Sequence, residues 1–375
     1  MLGIYIHIPF CVKKCNYCDF NSSDKINHLK KPYKEALIKE IENSEYWGGA
    51  DSVFIGGGTP TSLEASDLVD IINCVSTKFQ LNNAEFTVEV NPATLDEKGF
   101  KKLFDAGVNR LSFGLQSAND DELKVLGRIH TFEGFLKSYS IAQKCGFDNI
   151  NVDLMFSLPD QTLQKWVGTL NAVISLAPQH ISCYSLIIEE GTPFYSAKLN
   201  LPSDEDDRMI YEKTISILSK NGYNQYEISN FSREKPCLHN LKYWNRENYI
   251  GFGAGAHSLY NNTRFENMRD VSQYIYNNGR NAERFNTPFQ RSYNKVQKTV
   301  LSREEIMQEY IFLALRKTEG FDIAEFNRLF NVDFKKKYSK IIEKYLGLNL
   351  LKIDERCALT LEGIHVSNTV MSEFM

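Results

Sequence analysis

A regular alternation narrows the fold of this chain more than any other feature. Short apolar runs recur at Ile4–Ile8, Ser52–Ile55, Phe86–Val90, Arg110–Leu115, Ile150–Leu154 and Ile181–Leu186. Between them lie amphipathic stretches at Tyr33–Trp47, Ala65–Phe79, Leu95–Ala106, Phe132–Cys145 and Thr162–Leu176. In the first of these, Tyr33, Leu37 and Ile41 repeat at helical spacing, so that face packs inward. Strands joined by crossovers of this length run parallel, with the helices outside. Six such units predict an α/β fold, a partial (β/α)6 TIM-like barrel in which functional groups gather at the C-terminal strand ends.

The loop after the first run carries the densest chemistry. In IYIHIPFCVKKCNYCDFN, Cys11, Cys15 and Cys18 fall within eight residues. Three soft thiolates in one loop suit a metal or an iron–sulfur cluster better than a disulfide framework, which an odd local count makes poorly. A cubane with only three protein thiolates keeps one iron open to a small molecule. The alternatives are a Cys3His zinc site recruiting His7, which lacks the usual paired CxxC knuckles, and chance clustering.

Later strand ends add further candidates. GGGTPT at Gly56–Thr61 either lets backbone approach a ligand closely or is simply a tight turn. EVNP holds Glu89, RLSFGLQS ends near Gln116, and LGRIH holds Arg128; each alone could be a solvated polar group. Asp153 is different, because it interrupts the apolar run of NVDLMFSLP. In HNLKYW, His239 could ligate iron as a neutral imidazole while Tyr243 and Trp244 offer flat apolar surface. Residue types alone favour a capped turn with core aromatics there. GFGAGAHS, Gly251–Ser258, has the wrong spacing for a dinucleotide fingerprint and reads as a close-packed turn, with no role assigned to His257. YNQYEISNF is expected to extend the sheet, closing at Ser229 and Asn230.

CVKKCNYC after YIHIPF resembles the radical SAM superfamily, and within it the branch holding the oxygen-independent coproporphyrinogen III dehydrogenase HemN and the heme chaperone HemW. The resemblance runs over nearly the whole chain. It implies a 4Fe-4S cluster on Cys11, Cys15 and Cys18, with S-adenosylmethionine chelated at the open iron. It also implies cofactor contacts from Tyr5, Gly57, Gly58, Thr59, Glu89, Gln116, Arg128 and Asp153. HemN-type enzymes carry a fourth cysteine two residues past the third, where this chain has Phe20. HNxxYW, the motif associated with heme in the HemW group, stands unbroken as His239, Asn240, Tyr243 and Trp244. The resemblance therefore implies a heme chaperone that binds cluster, S-adenosylmethionine and heme and delivers heme to an acceptor protein. The alternative is a radical enzyme, a coproporphyrinogen dehydrogenase of porphyrin biosynthesis.

Composition is that of an ordinary globular protein, with 42% hydrophobic and 24% charged residues in 375. A net charge of −4 gives no electrostatic case for nucleic acid. No apolar run approaches a membrane span, and only three residues precede Ile4, so the expected location is a reducing cytoplasm, with peripheral membrane attachment left open. Cys74, Cys145, Cys183, Cys237 and Cys357 are dispersed, and most of them are expected to be small core residues. The texture changes after Asn286–Pro288. Ser302 and Glu305 make a capping box before Arg303–Leu315, helices follow at Asp322–Phe330 and Phe334–Tyr345, and LLKIDERCALT alternates as a hairpin before Leu361–Val370. The expected organisation is a barrel over 1–225, a closing segment over 226–300 and a mainly helical, loosely winged-helix domain over 301–375. A respiratory-chain acceptor and a homodimer are expectations by analogy alone.

Overall fold

The structure, a computed structural model, describes residues 1–279 and 295–375; the texture change at Asn286–Pro288 lies outside them. The six expected strands are present in order, with one short strand not expected, β3: β1 Leu2–Ile8, β2 Gly48–Gly57, β3 Phe79–Gln80, β4 Glu85–Val90, β5 Arg110–Gln116, β6 Ile150–Phe156 and β7 His180–Ser185. Apart from the short edge strand β3, which pairs with β2, they lie in the order β1-β2-β4-β5-β6-β7, all parallel. The intervening helices run Lys30–Glu42, Ala65–Lys78, Glu97–Asp105, Phe132–Lys144 and Leu163–Ile174. Several start on side-chain caps that the sequence supplies: Asp96 accepts from the Gly99 amide, Thr131 from Gly134 and Thr162 from Lys165.

Alternation along the strands sorts two kinds of interior. In β1, Ile4, Ile6 and Ile8 face the helices and are fully buried, while Tyr5 and His7 point into the barrel. Tyr33, Leu37 and Ile41 of the first helix, Leu68, Ile71 and Val75 of the second and Trp166 and Leu170 of a later one complete the apolar layer. The inside of the barrel is instead lined by polar groups such as Ser112, Asn151 and Asp153, joined in hydrogen bonds of 2.7–2.9 Å.

Both edges of this sheet are extended. YNQYEISNF forms a hairpin, β8 Asn224–Glu227 and β9 Asn230–Ser232, and β9 pairs antiparallel with β7. Ser229 and Asn230 therefore lie at its turn, because Glu227 accepts from the Ser229 amide and the Asn230 side chain and bends the chain back. On the other edge β10 Tyr249–Phe252 adds parallel to β1, followed by β11 His257–Tyr260, β12 Thr263–Asn267 and β13 Lys295–Val300 in antiparallel succession. GFGAGAHS is thus a turn only in its middle; its flanks are strands. The Glu40 carboxylate fixes that turn, accepting from the Gly253 amide at 2.9 Å, Asn267 at 2.7 Å and the Tyr274 hydroxyl at 2.6 Å. A carboxylate arriving from the first helix is a tertiary partner that local sequence does not reveal.

The C-terminal region has its own core, including Ile311, Phe321, Phe326, Phe334 and Val370. Its first helix, Arg303–Ala314, carries the Ser302–Glu305 capping box. A three-stranded sheet joins β14 Phe321–Asp322 and the hairpin β15 Leu351–Ile353 and β16 Arg356–Leu359. The stretch expected as one helix over Phe334–Tyr345 breaks at Tyr338, giving Phe334–Lys337 and Ser339–Gly347. Among the described residues no helix is long and apolar enough to cross a membrane.

Candidate cluster and cofactor site

The cysteine loop leaves β1 at its C-terminal end and is closed by its own polar groups. Lys14 donates to the carbonyls of Phe20 and Ser22, both at 2.9 Å, and Asn27 to that of Cys11 at 3.0 Å. The three thiols are close enough to act on one another electrostatically. Burial first, and then the neighbouring sulfurs, hold Cys11 and Cys18 above the ordinary thiol range. Protonated thiols become ligands when a bound metal displaces the proton, so this set fits a positively charged iron centre.

A single zinc ion fits less well. No group of three or more Cys, His, Asp or Glu is spaced to hold one metal ion among the described residues, whereas a cubane spreads its thiolates over three corners. His7 is also committed: Nδ1 bonds the Tyr5 hydroxyl at 2.9 Å and Nε2 the Asn21 carbonyl at 2.8 Å. Phe20, two residues past Cys18, is largely exposed, 61%.

Around the cysteines the strand ends converge. Gly57 has φ +115°, and a Cβ there would lie 2.6 Å from the His7 ring. At Gly58 a Cβ would come within 3.1 Å of Cys11 Sγ and 2.7 Å of the Phe10 carbonyl. The loop is glycine because backbone, histidine and thiol occupy the space of a side chain. Its amides are already used: Gly57 donates to Glu89 at 3.0 Å, Gly58 to the Ile8 carbonyl at 2.8 Å and Thr59 to the Phe10 carbonyl at 2.7 Å.

Glu89 at the end of β4 is the most perturbed acid of the site. Burial, and then the nearby Asp153 charge, push its carboxyl up to about 8 despite the Gly57 hydrogen bond. Asp153 accepts from Ser112 at 2.9 Å and Asn151 at 2.8 Å, which orient it within β6. Gln116 adopts φ +74° at a register shift between β5 and β6, where its side chain lies beside Arg128 at Gly114. Arg128 donates to Cys15 Sγ at 3.5 Å, to Asn91 at 2.7 Å and to the Gly114 carbonyl. Asn91 in turn donates to Thr59 Oγ1 at 2.7 Å. Asn91 is a partner that the sequence reading did not single out, although it stands in the EVNP stretch that drew attention to Glu89. Tyr5, the glycine loop, Glu89, Gln116, Arg128 and Asp153 thus meet at one end of the sheet with the cysteines.

HNLKYW does not join them. It forms a helix, Leu238–Trp244, at the opposite end of the barrel, where the Glu85 carboxylate accepts from the Leu238 and His239 amides at 3.0 Å each. His239 is fully buried; Nδ1 bonds Ser52 at 2.9 Å and Nε2 the Tyr243 hydroxyl at 2.8 Å. Burial, with Lys242 and Arg110 nearby, lowers its imidazole to about 3. Rings of Tyr5, Phe54, His239 and Tyr243 follow one another at centroid separations of 6.4, 5.4 and 5.0 Å. Trp244 packs under Arg316 of the C-terminal region at 4.5 Å.

Residues 5–173 match the radical SAM superfamily and residues 301–366 the HemN C-terminal domain. The backbone superposes on coproporphyrinogen III oxidase (HemN) from Escherichia coli with a TM-score of 0.85, over all of this chain and 89% of that one, at 23% identity. Fold and site together define a radical SAM protein, a class that carries a 4Fe-4S cluster and S-adenosylmethionine. The sequence is 38% identical to the heme chaperone HemW of Bacillus subtilis over 100% of this chain and 99% of that protein. It is 40% identical to the HemW of Escherichia coli over 68% of this chain and 69% of that one. The chain belongs to the HemW family.

Proposed function

We propose that this protein is a heme chaperone, binding heme and passing it to an acceptor protein, rather than a coproporphyrinogen dehydrogenase. End-to-end identity of 38% to a heme chaperone carries the reading, and Phe20 in place of the fourth cysteine of the dehydrogenases supports it. In this reading Cys11, Cys15 and Cys18 would hold the cluster, which when bound would supply one-electron chemistry toward the cofactor's sulfonium. The residues of the cradle bind and orient the cofactor. Because the amides of Gly57, Gly58 and Thr59 are spent within the fold, an ammonium donor would meet carbonyls of this loop. Glu89 and Asp153 complement the cofactor's positive charges, a role that explains two acids in a partly buried site. Arg128 faces its carboxylate, Gln116 and Tyr5 its remaining polar groups.

Division into a barrel over 1–225, a closing segment over 226–300 and an accessory domain over 301–375 belongs to the same proposal, as do a cytoplasmic location and peripheral membrane attachment. A respiratory-chain acceptor and a homodimer complete it.

The test is anaerobic reconstitution of the cluster followed by hemin titration and coproporphyrinogen turnover on the same preparation. Stoichiometric heme uptake without protoporphyrinogen formation is expected. Sustained turnover, or no heme uptake with or without the cluster, would overturn the proposal.

A further inference from the structure

Three cysteine ligands do not by themselves set how readily a cluster takes an electron. Hydrogen bonds and positive charge directed at the ligand sulfurs stabilise the more negative, reduced state and so raise the potential. Two such contacts exist here. The Arg128 guanidinium donates to Cys15 Sγ at 3.5 Å, and the Thr59 hydroxyl, the weaker of the two, to Cys11 Sγ at 4.0 Å.

Both donors are held by one side chain. Asn91, the residue after β4, accepts from Arg128 through Oδ1 at 2.7 Å and donates from Nδ2 to Thr59 Oγ1 at 2.7 Å. A guanidinium can only donate, so the amide has a single orientation, oxygen toward Arg128 and nitrogen toward Thr59. The Thr59 oxygen is therefore an acceptor on that side, and its hydrogen needs another partner. Thr59 is buried away from water, and Cys11 Sγ is the acceptor that its hydroxyl meets among the described residues. For Arg128, Asn91 is one of two oxygen anchors, the Gly114 carbonyl being the other, that leave Nη1 turned to Cys15. Asn91 is itself fixed by a turn, its carbonyl accepting from the Thr94 hydroxyl at 2.5 Å and the Thr94 amide at 3.3 Å.

Resting on the cluster-binding reading above, we infer that Asn91 is a positioning residue that aims the Arg128 and Thr59 donors at the Cys15 and Cys11 sulfurs and thereby holds the cluster potential up. It acts through those two residues, so its removal changes the potential while all three cysteine ligands stay in place.

The experiment is an anaerobic redox titration of the full, cluster-loaded chain, reduced with dithionite and read by low-temperature electron paramagnetic resonance of the reduced cluster. Asn91→Ala should favour the oxidised cluster roughly tenfold, a fall of about 59 mV for one electron. Thr59→Val removes the hydroxyl at nearly constant shape and should give a smaller fall, while Thr59→Ser should restore the wild-type value. In the double variant Asn91→Ala, Thr59→Val the two falls should not add, because the Thr59 hydrogen is directed only with Asn91 in place. An unchanged potential in Asn91→Ala, or two falls that add in full, would overturn the inference. So would a rise, which reports water entering beside the cluster. If Asn91→Ala does not keep full iron and sulfide, Thr59→Val decides alone: a lowered potential supports the inference and an unchanged one refutes it. Wild-type protein that assembles no cluster would instead overturn the cluster-binding reading, and this inference with it.

Discussion

Replacing Glu89 by Gln separates the stability of the cradle from its function. The Glu89 carboxyl, ordinarily near 4.5, is raised to about 8 by burial and by Asp153. A group whose folded pKa is raised contributes stability that is complete below its unfolded value and lost as pH rises through the folded value. Each unit is worth about 1.4 kcal/mol, so near pH 7 the cost is on the order of 3 kcal/mol, or about 2 after allowance for partial exposure. Glutamine keeps the oxygen that accepts from Gly57 and removes the titration. The apoprotein variant should therefore match wild type near pH 4 and become progressively more stable than it up to about pH 8. At roughly 2 °C per kcal/mol for a chain of this size, the advantage near pH 7 is about 4 °C in Tm. Binding of the cationic cofactor should reverse the ranking. Wild-type protein at neutral pH releases close to one proton as Glu89 ionises, detectable by calorimetry in buffers of different ionisation enthalpy, whereas Glu89→Gln releases none and binds more weakly. Identical pH–stability profiles for the two proteins would refute the reasoning, because other titrating groups cancel in the comparison.

Three further outcomes follow from the packing. Gly57→Ala places a Cβ against the His7 ring at a φ of +115° and should cost about 1–3 kcal/mol in urea unfolding while lowering cofactor affinity. Lys242, buried in the HNxxYW helix, reaches Asp51 at 2.7 Å and Glu247 at 2.9 Å; Lys242→Met should destabilise by about 2–4 kcal/mol, with part recovered in the Asp51→Asn double variant. Buried His239, His130 and His180 are all lowered, the first two to about 3 and 4, burial being the chief cause. Their stabilisation is complete above the unfolded value of 6.5 and lost as pH falls through the folded values, so urea midpoints should decline from pH 6.5 toward pH 4 and Tyr243→Phe should leave that slope in place.

Much of the architecture was legible in the chain itself. The six parallel strands lie where apolar runs alternate with helical patterns, because a parallel sheet covered by helices imposes both periods on the sequence. Cys11, Cys15 and Cys18 needed no fold to be noticed, since three soft ligands within eight residues are informative by spacing alone. The tertiary structure decided what depends on residues far apart. Glu89 is an unremarkable strand-end acid until Asp153, two strands away, comes near it. Strand β10 reads as a glycine turn because Glu40, which orders that turn, arrives from another element. Most consequentially, HNLKYW offers an iron ligand by composition, and only the fold commits both nitrogens of His239 to Ser52 and Tyr243. Which partners the two nitrogens of a buried histidine meet is set by hydrogen bonds across the chain rather than by its neighbours along it.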